Sequence, residues 1–388
     1  MLSRLSLLLC FEFLVLCDGE RTFSKRQVKA FPGKNGVPPS KTYSGFVSVD
    51  EDNTSLFYIL AESQNDPSSD PVILYMNGGP GASSLSAFFG ANGPMLYVAE
   101  NEFMINPYAW NRNASLLAIE FAPGIGFSYC SNSTKENGTS FCPREERMKG
   151  TCSPCFASDS SVATQNAVAL ETLFGKVFPE FKSRALYISG ESYAGTYVPT
   201  LAREILSKPL KYPSVQNVKG FWVTDPCMSN EMQFGYLDLG VTFAMEKGLI
   251  SSENYETLTQ SCTKSRTPVG DRVRDTSTRE CRVAWRLYDV ATNGIGNAVH
   301  PAPIKGLPMY IDPLNAFGPS EYDGPDVQRY LDSSNVRKVL GVEHSMPYFM
   351  EIGNNGYDQY TIEYVTLQYH LQYIYKPHLQ YIIQVLGL

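Results

Sequence analysis

Two short runs near the front of the chain, TYSGFVSVD and TSLFYILAE, are aromatic-rich and alternate with the period of two of a pleated strand, and EDNT between them supplies a turn. The pair is read as a β-hairpin. Later runs in DPVILYMNGGPG, SLLAIEFAPGIGFS and RALYISG are compact and apolar, as strands buried on both faces are. The first two end in glycine-bearing loops, so strand and tight turn come as one design. VKGFWVTDP reads as a further strand. From Ser158 to Phe178, SDSSVATQNAVALETLFGKVF opens on Ser and Asp capping candidates, carries Val162, Val168, Phe174 and Val177 at near-helical spacing, and meets Pro179. This predicts a helix stopped by the proline, and YVPTLAREIL predicts another. Strands alternating with helices predict a largely parallel sheet covered on both faces.

Residues 20–40 carry Gly, Pro and Lys without periodicity and read as an irregular lead-in. From about 227 to 315 the alternation fades into a polar stretch with one helical candidate, GYLDLGVTFAMEKGLI, which reads as an insertion or cap on the sheet. GPDVQRYLDSSNVRKVLGV then resumes a helical pattern. The last residues, YTIEYVTLQYHLQYIYKPHLQYIIQVLGL, repeat Leu-Gln-Tyr and close on an apolar, strand-like run.

With 388 residues the chain can bury a large core, so one large α/β domain with insertions, or two domains, is expected. Its 32 basic and 39 acidic residues leave a formal charge of −7, and no Lys/Arg run or basic-aromatic stripe offers a footprint for phosphate backbones. Nucleic acid is not an expected partner. The opening MLSRLSLLLCFEFLVLCDGERTF sets Arg4 before an apolar stretch from Leu5 to Leu16, then small or polar residues to Gly19. That is a signal-peptide pattern over residues 1–19, interrupted by Glu12 and too short to span a membrane; the competing reading is a cytosolic N-terminal helix. Sequons at Asn53, Asn113, Asn132 and Asn137 are candidate glycosylation sites and favour the secretory route.

Of the 9 cysteines, Cys10 and Cys17 leave with the signal or sit beside it. An odd number follows, Cys130, Cys142, Cys152, Cys155, Cys227, Cys262 and Cys281, so one thiol is expected to stay unpaired. CSPC has the spacing of half a zinc site, but no histidine lies near it. Disulfides in an oxidising compartment are expected instead, with no metal and no cofactor.

The strand of RALYISG runs into Gly190-Glu191-Ser192-Tyr193-Ala194-Gly195 and then a helix. Strand, sharp turn and helix are the setting in which a G-x-S-x-G elbow exposes a nucleophilic serine above the strand ends. The strict pattern is missed by one methyl, since Ala194 holds the fifth place and Gly195 follows it. The plain alternative is a serine in a buried turn.

GESYAGTYVP is joined by ESQNDP, NGGPGASS, FAPGIGFSY and FPEF, and together these segments resemble the serine carboxypeptidases over roughly residues 40–360. The resemblance implies an α/β-hydrolase fold, a central mostly parallel sheet covered by helices. Residues 40–226 would form the first part of the core, 227–315 a cap, and 316–388 a second, incomplete part of the core. It implies release of C-terminal residues from peptides or proteins, in a secreted, vacuolar or lysosomal location. It makes Ser192 the nucleophile and the backbone N–H groups of Gly79 and Tyr193 the oxyanion hole, which suits the need for two fixed donors. Asn77, Gly78 and Glu191 would bind the substrate's terminal carboxylate. Glu191 would have to be protonated there, because two carboxylates in contact repel, and this favours activity at acidic pH. The chain departs from the family at Tyr75, where tryptophan is usual, at Ala82, where many members have a cysteine, and at Ala91, where a second recognition carboxyl is common. The last change takes a partner from Glu191 and bears on carboxylate affinity more than on the fold.

A serine hydroxyl needs a histidine to take its proton and a carboxylate to orient that histidine, in the chain order Ser, Asp, His for this fold. The family's YAGDxDxxxN-like and GHxVP-like stretches have no counterpart here. Of the histidines, His344 in GVEHSMPY comes nearest but precedes the place where the acid-bearing strand belongs; His300 falls in the cap, and His370 and His378 in the repetitive tail. Asp358 in NNGYDQY follows the helical segment in a different setting. The triad Asp and His are therefore unassigned, and a C-terminus that is incomplete or altered is the expectation. Three readings stand: a secreted serine carboxypeptidase or a fragment of one; an inactive relative that binds peptides or has no role; and an acyltransferase on the same frame.

Overall fold

Eight strands lie side by side in the order β1 (Leu14–Asp18), β2 (Arg21–Val28), β3 (Thr42–Ser48), β4 (Ser55–Ala61), β8 (Ser115–Ile119), β5 (Val72–Met76), β9 (Leu186–Glu191) and β10 (Val218–Thr224). The computed structural model describes residues 14–18, 21–50, 54–130, 157–226, 237–265, 272–293 and 327–343. It divides into two compact units, residues 1–227 with 325–388, and residues 228–324. The expected hairpin is β3 with β4, antiparallel from Thr42 opposite Ala61 to Ser48 opposite Ser55. Strands β1 to β4 and the β4–β8 pair are antiparallel, whereas β8, β5, β9 and β10 run parallel.

The apolar runs explain the layers. Every residue of β4 is buried, and successive side chains enter opposite cores. Leu56, Tyr58 and Leu60 pack with residues of α2 (Asp159–Thr172) and α3 (Ala194–Ser207). Phe57, Ile59 and Ala61 pack with residues of α1 (Ser84–Gly90), α7 (Val327–Asp332) and α8 (Ser334–Leu340). Helices thus cover both faces, as the strand–helix alternation requires. The N-terminus of α2 is fixed by a capping box, in which the Ser158 side chain accepts from the Ser161 backbone and the Ser161 hydroxyl caps back. Regular helix ends at Thr172 and gives way to a π turn at 173–177, and Pro179 begins a separate short turn, so the helical run ends just ahead of the proline.

Two strand regions differ from the sequence reading. Residues 21–28, read as irregular, are β2, paired with β1 and β3; RTFSKRQV buries Phe23 and Val28 and keeps mostly polar residues between, so no apolar alternation marks it. Residues 95–105 add a hairpin, β6 (Met95–Ala99) with β7 (Glu102–Ile105), that the pattern did not single out.

In the second unit, α4 (Leu237–Glu246) lies within the helical candidate of the sequence. It is followed by α5 (Ser252–Glu256), the short pair β11 (Thr263–Ser265) and β12 (Arg272–Arg274), and α6 (Arg279–Asn293). A disulfide joins Cys262 to Cys281, and the indole of Trp285 donates to the Cys262 carbonyl at 2.9 Å, beside a small core that includes Val241, Ala244 and Leu258.

Candidate active site

Strand β9 ends at Glu191 and α3 begins at Ala194, so the turn between them has two residues. Ser192 takes φ +56, a left-handed conformation that a residue with a Cβ adopts only when its surroundings enforce it. The enforcement is visible. The Ser192 backbone N–H donates to the Thr224 carbonyl at the end of β10 at 3.0 Å, and the Ser192 carbonyl accepts from Gly195 N–H at 2.9 Å. At Gly190 a methyl group would collide with the Met76 carbonyl and with the Ala194 side chain. The Ala194 methyl therefore occupies space that Gly190 leaves open, which is why the turn closes with alanine in the fifth place of the motif.

The second strand–loop unit, β5 followed by Asn77 to Ser83, meets the elbow directly. Gly79 and Gly81 have φ of +114 and +95, values suited to glycine. A Cβ on Gly78 would lie 2.5 Å from the Glu191 carbonyl oxygen, 2.7 Å from the Tyr193 nitrogen and 2.8 Å from the Ser192 Cβ. Only a residue without a side chain lets these two loops touch. The glycine loop is closed on itself: Ala82 N–H donates to the Gly78 carbonyl at 3.1 Å, Asn77 N–H to the Ser84 hydroxyl at 3.2 Å, and the Asn77 side-chain amide to the Ser83 carbonyl at 3.1 Å.

Ser192 and Glu191 are half-buried, and Tyr193 is buried. The buried Tyr75 carries its hydroxyl to 3.2 Å from both Asn77 Oδ1 and Glu191 Oε2, so tyrosine in place of tryptophan links two of the expected carboxylate-binding residues. Two buried carboxyls stand behind the loops. Asp159 of α2 accepts from the Tyr193 hydroxyl, with oxygens at 3.1 and 3.2 Å. Glu120, just past β8, accepts from the Ser83 hydroxyl at 2.6 Å and from Leu85 N–H at 3.2 Å. Its other oxygen, Oε2, has no hydrogen-bond partner, and burial pushes its pKa up to about 7 against the opposing effect of the Ser83 and backbone hydrogen bonds.

The structure therefore gathers Asn77, Gly78, Gly79, Glu191, Ser192 and Tyr193 at the carboxyl ends of β5 and β9. Asn113 is exposed, just after a short turn at 110–112. Asn53, Asn132, Asn137, His300, His344, His370, His378 and Asp358, together with the CSPC segment, lie outside the described residues. Glu120 and Asp159 are the groups that sequence reasoning missed. Asp159 was legible as a capping candidate and Glu120 as the lone carboxylate at the end of an apolar run; neither pattern says which loop the carboxyl faces.

A serine elbow at the end of a parallel strand, against a glycine loop from the neighbouring strand, defines an α/β-hydrolase. The solved structure of a prohormone-processing carboxypeptidase from Saccharomyces cerevisiae shares this fold, with a TM-score of 0.59 at 20% identity over 86% of this chain and 72% of that one. The family model for serine carboxypeptidases matches residues 32–385, and the chain belongs to that family. Among curated relatives, carboxypeptidase Y homolog A of Pyrenophora tritici-repentis is 38% identical over 352 residues, covering 84% of this chain and 56% of that protein. Serine carboxypeptidase 1 of Hordeum vulgare is 35% identical over 246 residues, covering 61% of this chain and 44% of that protein. The chain thus spans about half the length of the curated relatives it matches. No helix among the described residues is long and apolar enough to cross a membrane.

Proposed function

We propose that the chain acts as a serine-type carboxypeptidase, with Ser192 as nucleophile. The observation that carries this reading is the enforced left-handed Ser192, seated where Gly78 lets the glycine loop reach the Tyr193 amide. In the proposed reaction Ser192 Oγ attacks the carbonyl carbon of the last peptide bond and its proton passes to a histidine base, which is unassigned in this chain. Negative charge on the former carbonyl oxygen is taken up by the N–H groups of Gly79 and Tyr193, fixed donors that need no reorganisation during the step. Collapse of the tetrahedral intermediate breaks the C–N bond, the departing amine takes the proton, and water then hydrolyses the acyl-enzyme. Asn77, Gly78 and Glu191 hold the terminal carboxylate of the substrate, with the Asn77 and Glu191 side chains joined through the Tyr75 hydroxyl. The signal-like N-terminus and the sequons support a secretory, vacuolar or lysosomal route.

Incubation of the soluble, folded chain with a fluorophosphonate probe, beside Ser192→Ala, tests the reading by mass spectrometry. Labelling of the wild type that is lost in the variant is the expected outcome. An unlabelled wild type sinks the hydrolase and leaves a peptide-binding relative.

A further inference from the structure

Each of the two proposed oxyanion donors belongs to a loop tied by a hydroxyl to a buried carboxyl that takes no part in the chemistry described above. On the glycine-loop side, Ser83 donates to Glu120 at 2.6 Å while its carbonyl receives the Asn77 side-chain amide at 3.1 Å. Ser84 adds a second tie, donating to the Ile119 carbonyl at 2.9 Å and accepting from Asn77 N–H at 3.2 Å. The loop holding Gly79 is therefore fastened at its far end to the residue that closes β8. Glu120 is itself held by its backbone: its N–H donates to the Phe57 carbonyl at 2.9 Å and its carbonyl accepts the Ser128 hydroxyl at 2.6 Å. A Cβ on Gly126 would run into the Glu120 carboxyl, so the glycine there leaves room for a group of this size.

On the elbow side the tie runs through the tyrosine ring. Tyr193 reaches Asp159 with its hydroxyl, and its ring packs edge-on against Tyr197 at 5.0 Å between centroids. Asp159 sits in the first turn of α2, whose start is fixed by the Ser158–Ser161 capping box. The residue whose backbone supplies the second donor amide is thus anchored, through its side chain, to a different helix from the one it begins.

Burying a carboxyl is unfavourable unless it is satisfied, and the Ser83 and Tyr193 hydroxyls each supply a hydrogen bond to one of these two groups. Such carboxyls serve position better than stability. Oxyanion stabilisation is steep in geometry, because a donor displaced from its aimed position loses most of its effect.

We propose that Glu120 and Asp159 are positioning residues, one for each oxyanion donor: Glu120 acts through Ser83 on the Gly79 loop, and Asp159 through the Tyr193 hydroxyl on the elbow. The proposal rests on the reading of those two amides as the oxyanion hole. Ser83→Ala and Tyr193→Phe each delete one hydroxyl and leave both carboxyls in place. In the full chain, each variant is expected to lower the maximal rate of fluorophosphonate labelling at Ser192 by about tenfold or more with the probe's reversible affinity little changed, a fall beyond what any loss of stability accounts for. Ser83→Ala brings such a loss as well, because the Ser83 hydroxyl also caps α1 by accepting from Leu85 N–H at 3.1 Å. An unchanged labelling rate in a folded variant overturns the proposal. So does a rate that falls only in step with probe affinity and melting temperature, since that is the mark of a structural role alone. A wild type that does not label sinks the hydrolase reading separately; hydrogen exchange of residues 77–85 and 190–196 then decides, with faster exchange confined to the loop whose tie was cut as the expected result and unchanged exchange in both variants overturning the braces.

Discussion

The two halves of the sheet carry the same kind of apolar strand and do different work. From β1 to β4 neighbouring strands run in opposite directions, so successive connections alternate between the two ends of the sheet and the carboxyl ends of neighbouring strands do not meet. From β8 through β5 and β9 to β10 all strands point one way, and the loops leaving β5, β8 and β9 open on the same side. Asn77 to Gly79, Glu120 and Glu191 to Tyr193 all lie at those carboxyl ends, where open α/β sheets place their ligands. Parallel direction, more than burial or hydrophobicity, concentrates polar groups into a site.

A core truncation in the antiparallel half is the strongest way to challenge this division. Ile59 in β4 is fully buried among the residues under α1 and α8. Ile59→Ala is expected to destabilise the chain by about 2–5 kcal/mol in urea unfolding, while the folded fraction labels at Ser192 at the wild-type rate. Slower labelling by the folded fraction would show that the scaffold half sets the geometry of the site as well.

At the glycine loop the balance should reverse. Gly78→Ala forces a methyl against the Glu191 carbonyl, the Tyr193 nitrogen and the Ser192 side chain, so the two loops must part. Labelling is expected to fall about a hundredfold, the scale of one lost oxyanion donor and equivalent to about 2.7 kcal/mol, with a smaller loss of stability. Equal loss of both would make Gly78 a packing residue.

Much of the parallel half was readable in the sequence because its signals are local. VILYM followed by NGGPG, and LYISG followed by ESYAG, each place a buried strand and its turn within a dozen residues, and the glycines name the close approaches in advance. The strand β2 was not readable, since RTFSKRQV pairs on both sides yet alternates too weakly for its period to show. Glu120 and Asp159 were unreadable for another reason. Ser83 and Glu120 stand 37 residues apart, and Asp159 and Tyr193 stand 34 apart, so only the tertiary fold tells a buried carboxyl from a solvated one.

Glu120 offers the finest comparison, because its environment can be read through protons alone. Burial raises its pKa from 4.5 to about 7, so the folded chain holds a proton that the unfolded chain has already released across that interval. Stability from this group is therefore fully present below the unfolded value and is lost as the pH rises through about 7. Glu120→Gln keeps the side chain's shape and an acceptor for Ser83 but cannot titrate. Between about pH 5 and about pH 8 the wild type is expected to lose roughly 2 kcal/mol relative to the variant, measured as the difference between their urea unfolding free energies. The carboxylate of Asp70, on the exposed loop between β4 and β5, marks the contrast: hydrogen bonds led by the Ser63 hydroxyl hold it below its ordinary range, so any stability it confers is lost toward low pH. A flat difference between wild type and Glu120→Gln would mean that water reaches Oε2 through the Gly126 turn, and that the carboxyl behind the glycine loop is solvated like those of the scaffold.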